Sequence, residues 1–437
     1  MESAFSDQSP HLYQSASAAI LGVVDEIGET GEKVDSTSGS SEKASTPFVE
    51  KLGFGFVLTD PLDRMFRTSA KQLDLSVAIA RFVWMMSGSN RLADIAFYEP
   101  KVNAFTDDGF SVPGSSYGQR IFQSSPGIDQ LRAIIERIKT DPNTRRATVS
   151  IYQPTDATRK SNDIPCTFGL MYHPRDGKLN ATTIMRSNNA IGLLQFNIFE
   201  FSLLAEVVAA EAGLPMGQML HFAGSMHAFE SHLADWKKTG KQELVAGSPM
   251  SEMPRDSSAL EYITKLIVFE AEMRHASAEL RDAKAEKWIE RARQLFDPYW
   301  QQFAFVLLLA VARRNNDESL WLELRSLLRS EFAPFYPDRN RPVRVDNESE
   351  GGSVTGDLFS FDVAPKITQL FNPGLKRKVL ALALAHERDT GKPISIEEFD
   401  AVQDELMGKI AARGLDLETA IGKSDFDEAL KKVRSIT

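Results

Sequence analysis

The sequence predicts an α+β fold, a mixed sheet with packed helices that is followed by a mostly helical C-terminal region. Three features of the 437-residue chain lead to this prediction. Short strand-like segments recur before residue 190, two of them joined by an Asp-Gly turn. A helix that is apolar nearly all round follows at 199–212, as is usual for a helix in the centre of a domain. After about residue 240, long charged stretches with helical periodicity replace the strands.

The first elements can be assigned in order along the chain. Residues 31–45 are rich in Ser, Gly and Lys and have almost no apolar side chains, which predicts a mobile loop. Residues 54–60 predict a strand that ends at an Asp-Pro turn. Residues 73–86 have the periodicity of a helix.

Further strands are predicted at 147–152, 167–173 and 179–186. The last two are separated by a short segment that contains Asp176 and Gly177. An Asp-Gly pair is a strong hairpin signal because both residues tolerate a positive φ. We therefore expect these two strands to be antiparallel neighbours, so that the start of one lies beside the end of the other.

The composition changes after about residue 240. Residues 260–295 and 299–332 predict long helices, residues 338–355 a linker or exposed loop, and residues 394–437 short charged helices. The predicted organisation is a sheet-containing domain at 1–240, a helical region at 241–336, a linker or loop at 337–356 and a helical C-terminal region at 357–437.

Composition and charge restrict the class of protein. The one cysteine excludes an internal disulfide, which favours a reducing compartment, and no cluster of metal-ligand residues is recognisable. The first residues lack a basic start followed by an apolar run, and the most apolar stretch, 303–311, is too short for a bilayer, so we expect a cytoplasmic protein with no membrane partner. The net charge of -10 argues against duplex nucleic acid as a partner but is compatible with a local basic pocket for one phosphate.

The one cysteine, Cys166, precedes a series of polar motifs that ends at His227. An isolated intracellular cysteine is on its own most often a small buried hydrophobic residue. The polar motifs favour a nucleophile instead. A thiolate that adds to C6 of a pyrimidine turns C5 into an enolate-like carbon that can be alkylated. Arg186, at the end of the neighbouring predicted strand, is the candidate cation that would favour the thiolate.

Other polar residues are candidates for binding the rest of a nucleotide. Arg145 and Arg146 could hold a phosphate with paired guanidinium groups, although such a pair alone is more often part of a solvated loop. The amide of Asn197 can donate to one edge atom of a pyrimidine and accept from another, and His227 could hold the sugar. Either of these two residues could equally be a satisfied polar group in the core.

Residues from about 70 to 230 resemble the thymidylate synthase family, which includes pyrimidine nucleotide hydroxymethylases. The matching segments are Asp141-Pro142-Asn143-Thr144-Arg145-Arg146, Pro165-Cys166, Gly177-Lys178-Leu179, Arg186-Ser187, Phe196-Asn197-Ile198 and Gly224-Ser225-Met226-His227. Their spacing agrees as well, with 20 positions from Cys166 to Arg186, 11 from Arg186 to Asn197 and 41 from Arg186 to His227. Taken together, these motifs are highly specific.

The resemblance implies that residues 1–240 form a catalytic domain of this family and act as a homodimer. It implies methylenetetrahydrofolate as the one-carbon donor and a pyrimidine nucleoside 5′-monophosphate as the substrate. Arg145 and Arg146 would reach into the partner's site and hold the substrate phosphate beside Arg186. The positions implied to be catalytic are Cys166, Tyr117, which assists proton transfer near C5, and Arg186. The positions implied to bind substrate are Arg145, Arg146, Arg186, Ser187, Asn189, Asn197 and His227.

Several positions depart from the family pattern. Arg81 stands where the family has a glutamate that organises water and protonates the developing intermediate, and a permanent cation cannot take that role. Asn189 replaces the usual aspartate, Thr167 the histidine after the cysteine, and Phe229 the tyrosine that bonds the sugar. The phosphate-gripping Arg-Thr-Gly loop is not recognisable, and a long, mostly helical extension replaces the short C-terminus that closes over folate.

Two classes of function remain open. The first is a transferase that adds methyl or hydroxymethyl to C5 of the nucleotide through a Cys166 adduct. Methyl transfer needs folate as a reductant, whereas hydroxymethyl transfer needs only water, which a missing closing tail would admit. The second, favoured by Arg81, is a catalytically altered relative that binds a nucleotide and acts through a partner. Because Asn197 can donate to O4 of uracil and accept from its N3–H, we expect a uracil nucleotide to be preferred over a cytosine nucleotide.

Overall fold

The computed structural model describes residues 10–35, 47–123, 128–240, 242–245, 249–277, 283–337 and 423–434, together with positions 386, 390, 402, 405 and 406. The chain divides into two compact units, residues 1–336 and residues 337–437. The helical region predicted at 241–336 therefore lies in the same unit as the sheet. A separate domain of residues 1–240 stays a prediction, and the linker or loop predicted at 337–356 lies outside the described residues except for Pro337.

A mixed sheet runs through the first unit and positions the candidate site. Its strands are β1 (His11–Tyr13), β2 (Glu32–Val34), β3 (Phe48–Leu58), β4 (Ala147–Ser150), β5 (Thr167–Arg175), β6 (Lys178–Asn189) and β7 (Met216–Phe229). The order across the sheet is β1-β3-β7-β6-β5-β4, and β2 also pairs with β3. The β1/β3 and β6/β7 pairs are parallel and the other pairs are antiparallel. The predicted α+β class with a mixed sheet is confirmed.

The predicted hairpin joins β5 and β6. Asp176 and Gly177 have φ values of 51° and 72°, so the Asp-Gly pair adopts the left-handed backbone of a tight turn. The strand predicted at 54–60 is present in β3 but begins earlier in the chain. The sequence analysis predicts no strand at β7, because its residues mix small, polar and apolar side chains without regular alternation.

The prediction of a mobile loop at 31–45 is wrong in its first part. Residues Glu32–Val34 form β2, which is antiparallel to β3. Lys33 of this strand pairs with Glu230 at 3.0 Å. Charged side chains suit a short edge strand because they discourage further strand pairing. Residues 36–46 of the predicted loop lie outside the described residues.

Helices cover the sheet and extend the first unit beyond it. They are α1 (Ala16–Thr30), α2 (Leu75–Ser87), α3 (Leu92–Ala96), α4 (Tyr117–Gln123), α5 (Gln130–Thr140), α6 (Leu194–Glu211), α7 (Glu230–Lys238), α8 (Ala259–Ala276), α9 (Ala283–Leu295), α10 (Pro298–Arg314) and α11 (Glu318–Ser326). In the second unit α12 spans Lys423–Arg434. The helix-periodic stretch 299–332 contains two helices, α10 and α11, because Asn316 has a φ of 52° and Asp317 caps a new helix by accepting from Leu320 N–H at 3.0 Å. The stretch predicted at 260–295 is likewise occupied by α8 and α9.

The apolar helix α6 lies in the centre of the unit, as its composition predicts. Every residue from 197 to 210 is buried. It packs against β6, β7, α2 and α8. The apolar stretch 303–311 lies in α10, whose side chains are buried against α2 and α8. Among the described residues, no helix has the length and apolar character needed to cross a membrane.

One face of the sheet carries large apolar side chains that remain accessible. Leu12 and Leu220 lie on this face because both are in register with Val57 of β3. Phe222, two residues beyond Leu220 on β7, shares the face. Leu12 is 70% exposed and Phe222 is 36% exposed. This face of the sheet therefore keeps apolar side chains accessible.

Candidate active site

Cys166 lies where the chain enters β5, beside the end of β6. The backbone N–H of Arg186 donates to the carbonyl of Cys166 at 2.7 Å. The two residues are therefore neighbours across the strand pair, as the hairpin predicts. The pairing of β5 with β6 shifts its register between Thr167 and Gly169, and such a bulge redirects the adjacent side chains.

The guanidinium of Arg186 is held against the segment that carries the thiol. Its Nε donates to the carbonyl of Pro165 at 2.8 Å and its Nη2 to the carbonyl of Ile164 at 3.0 Å. The same Nη2 lies 3.7 Å from Sγ of Cys166. Burial raises the pKa of the Cys166 thiol and Arg186 opposes this effect only in part. The free thiol is therefore largely protonated at neutral pH, with a fixed cation ready to stabilise the thiolate.

Ser187 and His227 meet across β6 and β7. Ser187 Oγ and His227 Nδ1 are 3.2 Å apart. The rings of Phe48 and Phe229 contact the imidazole edge-on, each with a centroid distance of 5.5 Å. Burial lowers the pKa of His227 to about 4. The imidazole is thus neutral near pH 7, where it can form hydrogen bonds to a sugar hydroxyl but adds no positive charge.

A buried chain of polar groups links the end of β6 to α6. Nδ2 of Asn188 donates to Oδ1 of Asn197 at 2.9 Å, and Nε2 of His221 lies 2.8 Å from Oδ1 of Asn188. All three residues are buried, and the ring of His221 stacks on Phe56 with a centroid distance of 5.2 Å. Neither Asn188 nor His221 is among the site residues predicted from the sequence. The signal that was missed is the presence of two strongly polar residues on strands that lie in the core.

Asn189, a predicted substrate-binding residue, closes the turn that leads into α6. Its Oδ1 accepts the backbone N–H groups of Ile191 at 3.1 Å and of Gly192 at 2.8 Å. A side chain at position 192 would meet the Asn189 amide at 3.1 Å. The glycine therefore permits this close turn, and the carbonyl oxygen of Asn189 is already engaged by the backbone.

A buried group of charges lies on α2 and α6. Arg81 pairs through Nε with Glu200 and, at 2.8 Å, through Nη1 with Glu99. Its guanidinium also lies 5.4 Å from the centre of the Phe196 ring. Glu200 and Asn197 are three residues apart on α6 and thus share one side of the helix. The cation at position 81 is therefore accompanied by two carboxylates.

Tyr117 connects this group of charges to Cys166. Burial raises the pKa of Tyr117, and negative charge on Cys166 and Glu200 raises it further. Burial raises the pKa of Glu200 as well, whereas Arg81 favours its charged form. The sequence analysis missed Glu200. The available signal was an acidic residue inside a helix that is otherwise apolar nearly all round, since such a residue requires a buried partner.

Arg145 and Arg146 are not brought to Cys166 within one chain. Both are exposed and immediately precede β4, whose first residue is paired with Tyr172 of β5. Tyr172 is the sixth residue after Cys166, which corresponds to about 20 Å of extended strand. An arginine side chain does not span that distance.

The described residues also contain no group of three or more His, Cys, Asp or Glu side chains that could hold a metal ion.

The sequence was compared with known proteins. The model of the family described as thymidylate synthase matches residues 22–270. A deoxyuridylate hydroxymethyltransferase of Bacillus phage SP01 is 29% identical over 185 residues, which cover 39% of this chain and 47% of the relative. A thymidylate synthase of Listeria monocytogenes serovar 1/2a is 34% identical over 146 residues, which cover 32% of this chain and 46% of the relative. The chain spans about half the length of the curated relatives it matches.

Proposed function

Because the chain belongs to the thymidylate synthase family, we propose that it transfers a one-carbon unit to C5 of a pyrimidine nucleoside 5′-monophosphate through a covalent adduct at Cys166. The observation that carries the proposal is the guanidinium of Arg186, fixed by two backbone carbonyls at 3.7 Å from the thiol. A cation in this position stabilises the thiolate, which is the reactive form of cysteine. The relative named for deoxyuridylate supports a uracil nucleotide as the substrate.

The first step that we propose is addition of the thiolate to C6. The sulfur forms a bond to C6, and the electron pair of the C5–C6 double bond moves toward the C4 carbonyl. The product is an enolate whose C5 is nucleophilic. Asn197 stabilises the enolate by donating an N–H to O4, and Arg186 holds the thiolate before the addition.

The second step forms the new carbon–carbon bond. Methylenetetrahydrofolate is the one-carbon donor that the family uses. One carbon–nitrogen bond of the donor's methylene group would break as C5 bonds to that carbon. C5 must then lose its proton, and the second carbon–nitrogen bond must break to release tetrahydrofolate, before the sulfur can leave C6. We assign Tyr117 and Glu200 to take up this proton and pass it to the departing folate nitrogen, because both are buried and negative charge on Cys166 and Glu200 acts on Tyr117. Arg81 positions Glu200, so that a carboxylate is restored from α6 where the family supplies one from the position of Arg81.

Methyl and hydroxymethyl products share every step up to the exocyclic methylene. A methyl product would require hydride from tetrahydrofolate, which would be oxidised to dihydrofolate, whereas a hydroxymethyl product would require only addition of water and would leave tetrahydrofolate unchanged. Relatives with both names match the chain. The mass of the product distinguishes the two outcomes directly.

A homodimer completes the site in this proposal. Arg145 and Arg146 are exposed at the far end of the β4/β5 pair, where they cannot serve the Cys166 of their own chain. The accessible apolar face that includes Leu12 and Phe222 provides a surface for a second copy. In such a dimer the two arginines bind the phosphate of the nucleotide in the partner's site.

Purified protein incubated with methylenetetrahydrofolate and dUMP, UMP, dCMP or CMP tests the chemistry. We expect a product of increased mass from a uracil nucleotide, and a protein adduct with the 5-fluorinated analogue. Cys166→Ser is the matched control and should form neither. If none of the four nucleotides gives a product and the 5-fluorinated analogue gives no adduct, the proposed reaction is refuted.

The dimer has its own test. Protein carrying Arg146→Ala and protein carrying Cys166→Ser are each expected to be inactive. After mixing and subunit exchange, each heterodimer contains one intact site, so activity should return to about a quarter of the wild-type value. A monomeric mass in solution would refute the shared site.

A second candidate function is nucleotide binding without carbon transfer, in a protein that acts through a partner. Two observations favour it, the replacement of an acid by Arg81 and the raised pKa of the Cys166 thiol. It predicts tight binding of a nucleotide without adduct or product. The incubation described above separates the two functions, because the adduct depends on a reactive thiol and binding does not.

A further inference from the structure

The polar chain from His221 through Asn188 to Asn197 ends at the amide that we propose to face the pyrimidine base. Each link is a hydrogen bond of ordinary length, 2.8 Å between His221 and Asn188 and 2.9 Å between Asn188 and Asn197. The exposed fractions are 0% for His221, 2% for Asn188 and 3% for Asn197. Because the three side chains are buried and bonded to one another, the direction of one hydrogen bond fixes the direction of the next.

The chain has two consistent directions. In the first, His221 carries its proton on Nε2 and donates to Asn188 Oδ1, and Asn188 donates from Nδ2 to Asn197 Oδ1. Asn197 then has its Nδ2 hydrogens left for the base. In the second, His221 accepts at Nε2 and both amides are turned over, so that Asn197 offers its oxygen to the base. Uracil O4 is an acceptor and needs the first direction, whereas the 4-amino group of cytosine is a donor and needs the second.

The surroundings of His221 favour the first direction. Its Nδ1 is buried and has no hydrogen-bond partner among the described residues. The first direction leaves only a lone pair at Nδ1, whereas the second places an unpaired N–H there. Orphaned N–H groups are the rarer kind in protein interiors. Burial also lowers the pKa of His221 to about 3, so the ring is neutral and cannot donate from both nitrogens.

We infer that His221 is a positioning residue that selects uracil over cytosine by setting, through Asn188, the direction in which the Asn197 amide faces the base. The inference rests on the proposed function, because it takes Asn197 as the residue that contacts the base. His221 itself touches no substrate in this arrangement. Its effect is on the choice between two bases that differ at a single exocyclic group.

Calorimetry with the full-length protein tests the inference through the ratio of the Kd values for dCMP and dUMP. We expect the wild-type protein to bind dUMP more tightly by about tenfold or more, since a mismatched buried polar group costs at least that much. His221→Phe keeps an aromatic ring against Phe56 but removes the donor, so the ratio should fall to within about threefold of one. Asn188→Leu breaks the same chain one link later and should give the same result if His221→Phe fails to fold.

Phe56→Leu is the matched control. It loosens packing against the His221 ring and leaves every hydrogen bond of the chain in place, so it should keep the wild-type ratio while lowering the melting temperature. A wild-type ratio in His221→Phe or Asn188→Leu would overturn the inference and leave the proposed function standing. Equal loss of the ratio in Phe56→Leu, or preference of the wild-type protein for dCMP, would also overturn it. Binding of neither nucleotide by the wild-type protein would instead refute the proposed function and the inference with it.

Discussion

Glu206 holds together three parts of the first unit from the middle of α6. Its Oε2 accepts from Nη2 of Arg64 at 2.7 Å and from the Tyr299 hydroxyl at 3.4 Å. Its Oε1 accepts the backbone N–H of Met253 at 2.7 Å. Tyr299 and Met253 belong to the helical region after residue 240, and Arg64 belongs to the segment that follows β3. We predict that Glu206→Leu is among the most destabilising single substitutions in the unit.

The expected size follows from the burial of the pair. The side chains of Arg64 and Glu206 are 0% and 5% exposed. Removal of one partner from such a pair leaves an uncompensated buried charge, which costs about 3–5 kcal/mol. Domains of ordinary stability unfold at about 5–15 kcal/mol, so the loss is a large fraction of the total. Arg64→Met combined with Glu206→Leu removes both charges and should recover the part of the loss that comes from the unpaired charge, whereas the Met253 N–H and the Tyr299 hydroxyl stay without their acceptor.

Urea unfolding of the full chain, followed by fluorescence and circular dichroism together, measures these free energies. Glu272→Leu is the control, because its partner Arg291 and Glu272 are 42% and 39% exposed and such pairs contribute about 0–1 kcal/mol. A loss below about 1 kcal/mol for Glu206→Leu would refute the reasoning. Additive losses in the double variant would refute it equally, since additivity means that the two charges do not interact.

Three further predictions concern the candidate site. Cys166→Ser should abolish the covalent adduct while changing the Kd for dUMP by less than about threefold, because sulfur to oxygen is a small change in packing but removes the nucleophile; mass spectrometry and calorimetry measure the two effects. The rate of Cys166 alkylation by iodoacetamide should still be rising above pH 9, because burial raises the pKa of the thiol and only the thiolate reacts; a rate that levels off below pH 9 contradicts the raised pKa. The pH profile of turnover should show no inflection between pH 5 and 8 from His227, whose pKa of about 4 keeps it neutral there; His227→Asn, which cannot titrate, should share the shape of that profile.

Contacts between residues on paired strands could be predicted from the sequence. The Asp-Gly turn fixes the register of β5 and β6 and so predicts that the end of β6 lies near Cys166, whereas the one-residue shift between Thr167 and Gly169, which places Arg186 directly beside it, was not predicted. The buried position of α6 also follows from its composition. Local periodicity and turn chemistry carry both of these predictions.

Contacts between helices distant in sequence were not predictable in the same way. Arg81 and Glu200 are 119 positions apart, and their meeting depends on how α2 packs against α6. The family pattern shows that an acid is lost at position 81 but gives no indication that α6 supplies another. The polar chain through Asn188 could not be predicted either, because His221 belongs to a strand that the sequence pattern does not reveal.

The strand order has a consequence for synthesis of the chain on the ribosome. Among the described strands β7 is the last to be made, yet it lies between β3 and β6. Until residues 216–229 have emerged, β3 lacks its main partner and the hairpin of β5 and β6 has an open edge. The sheet is therefore completed by insertion of a late strand into its middle, a closure of high contact order that folds slowly. A nascent chain that stops before β7 exposes two unpaired strand edges and is the species most prone to aggregation.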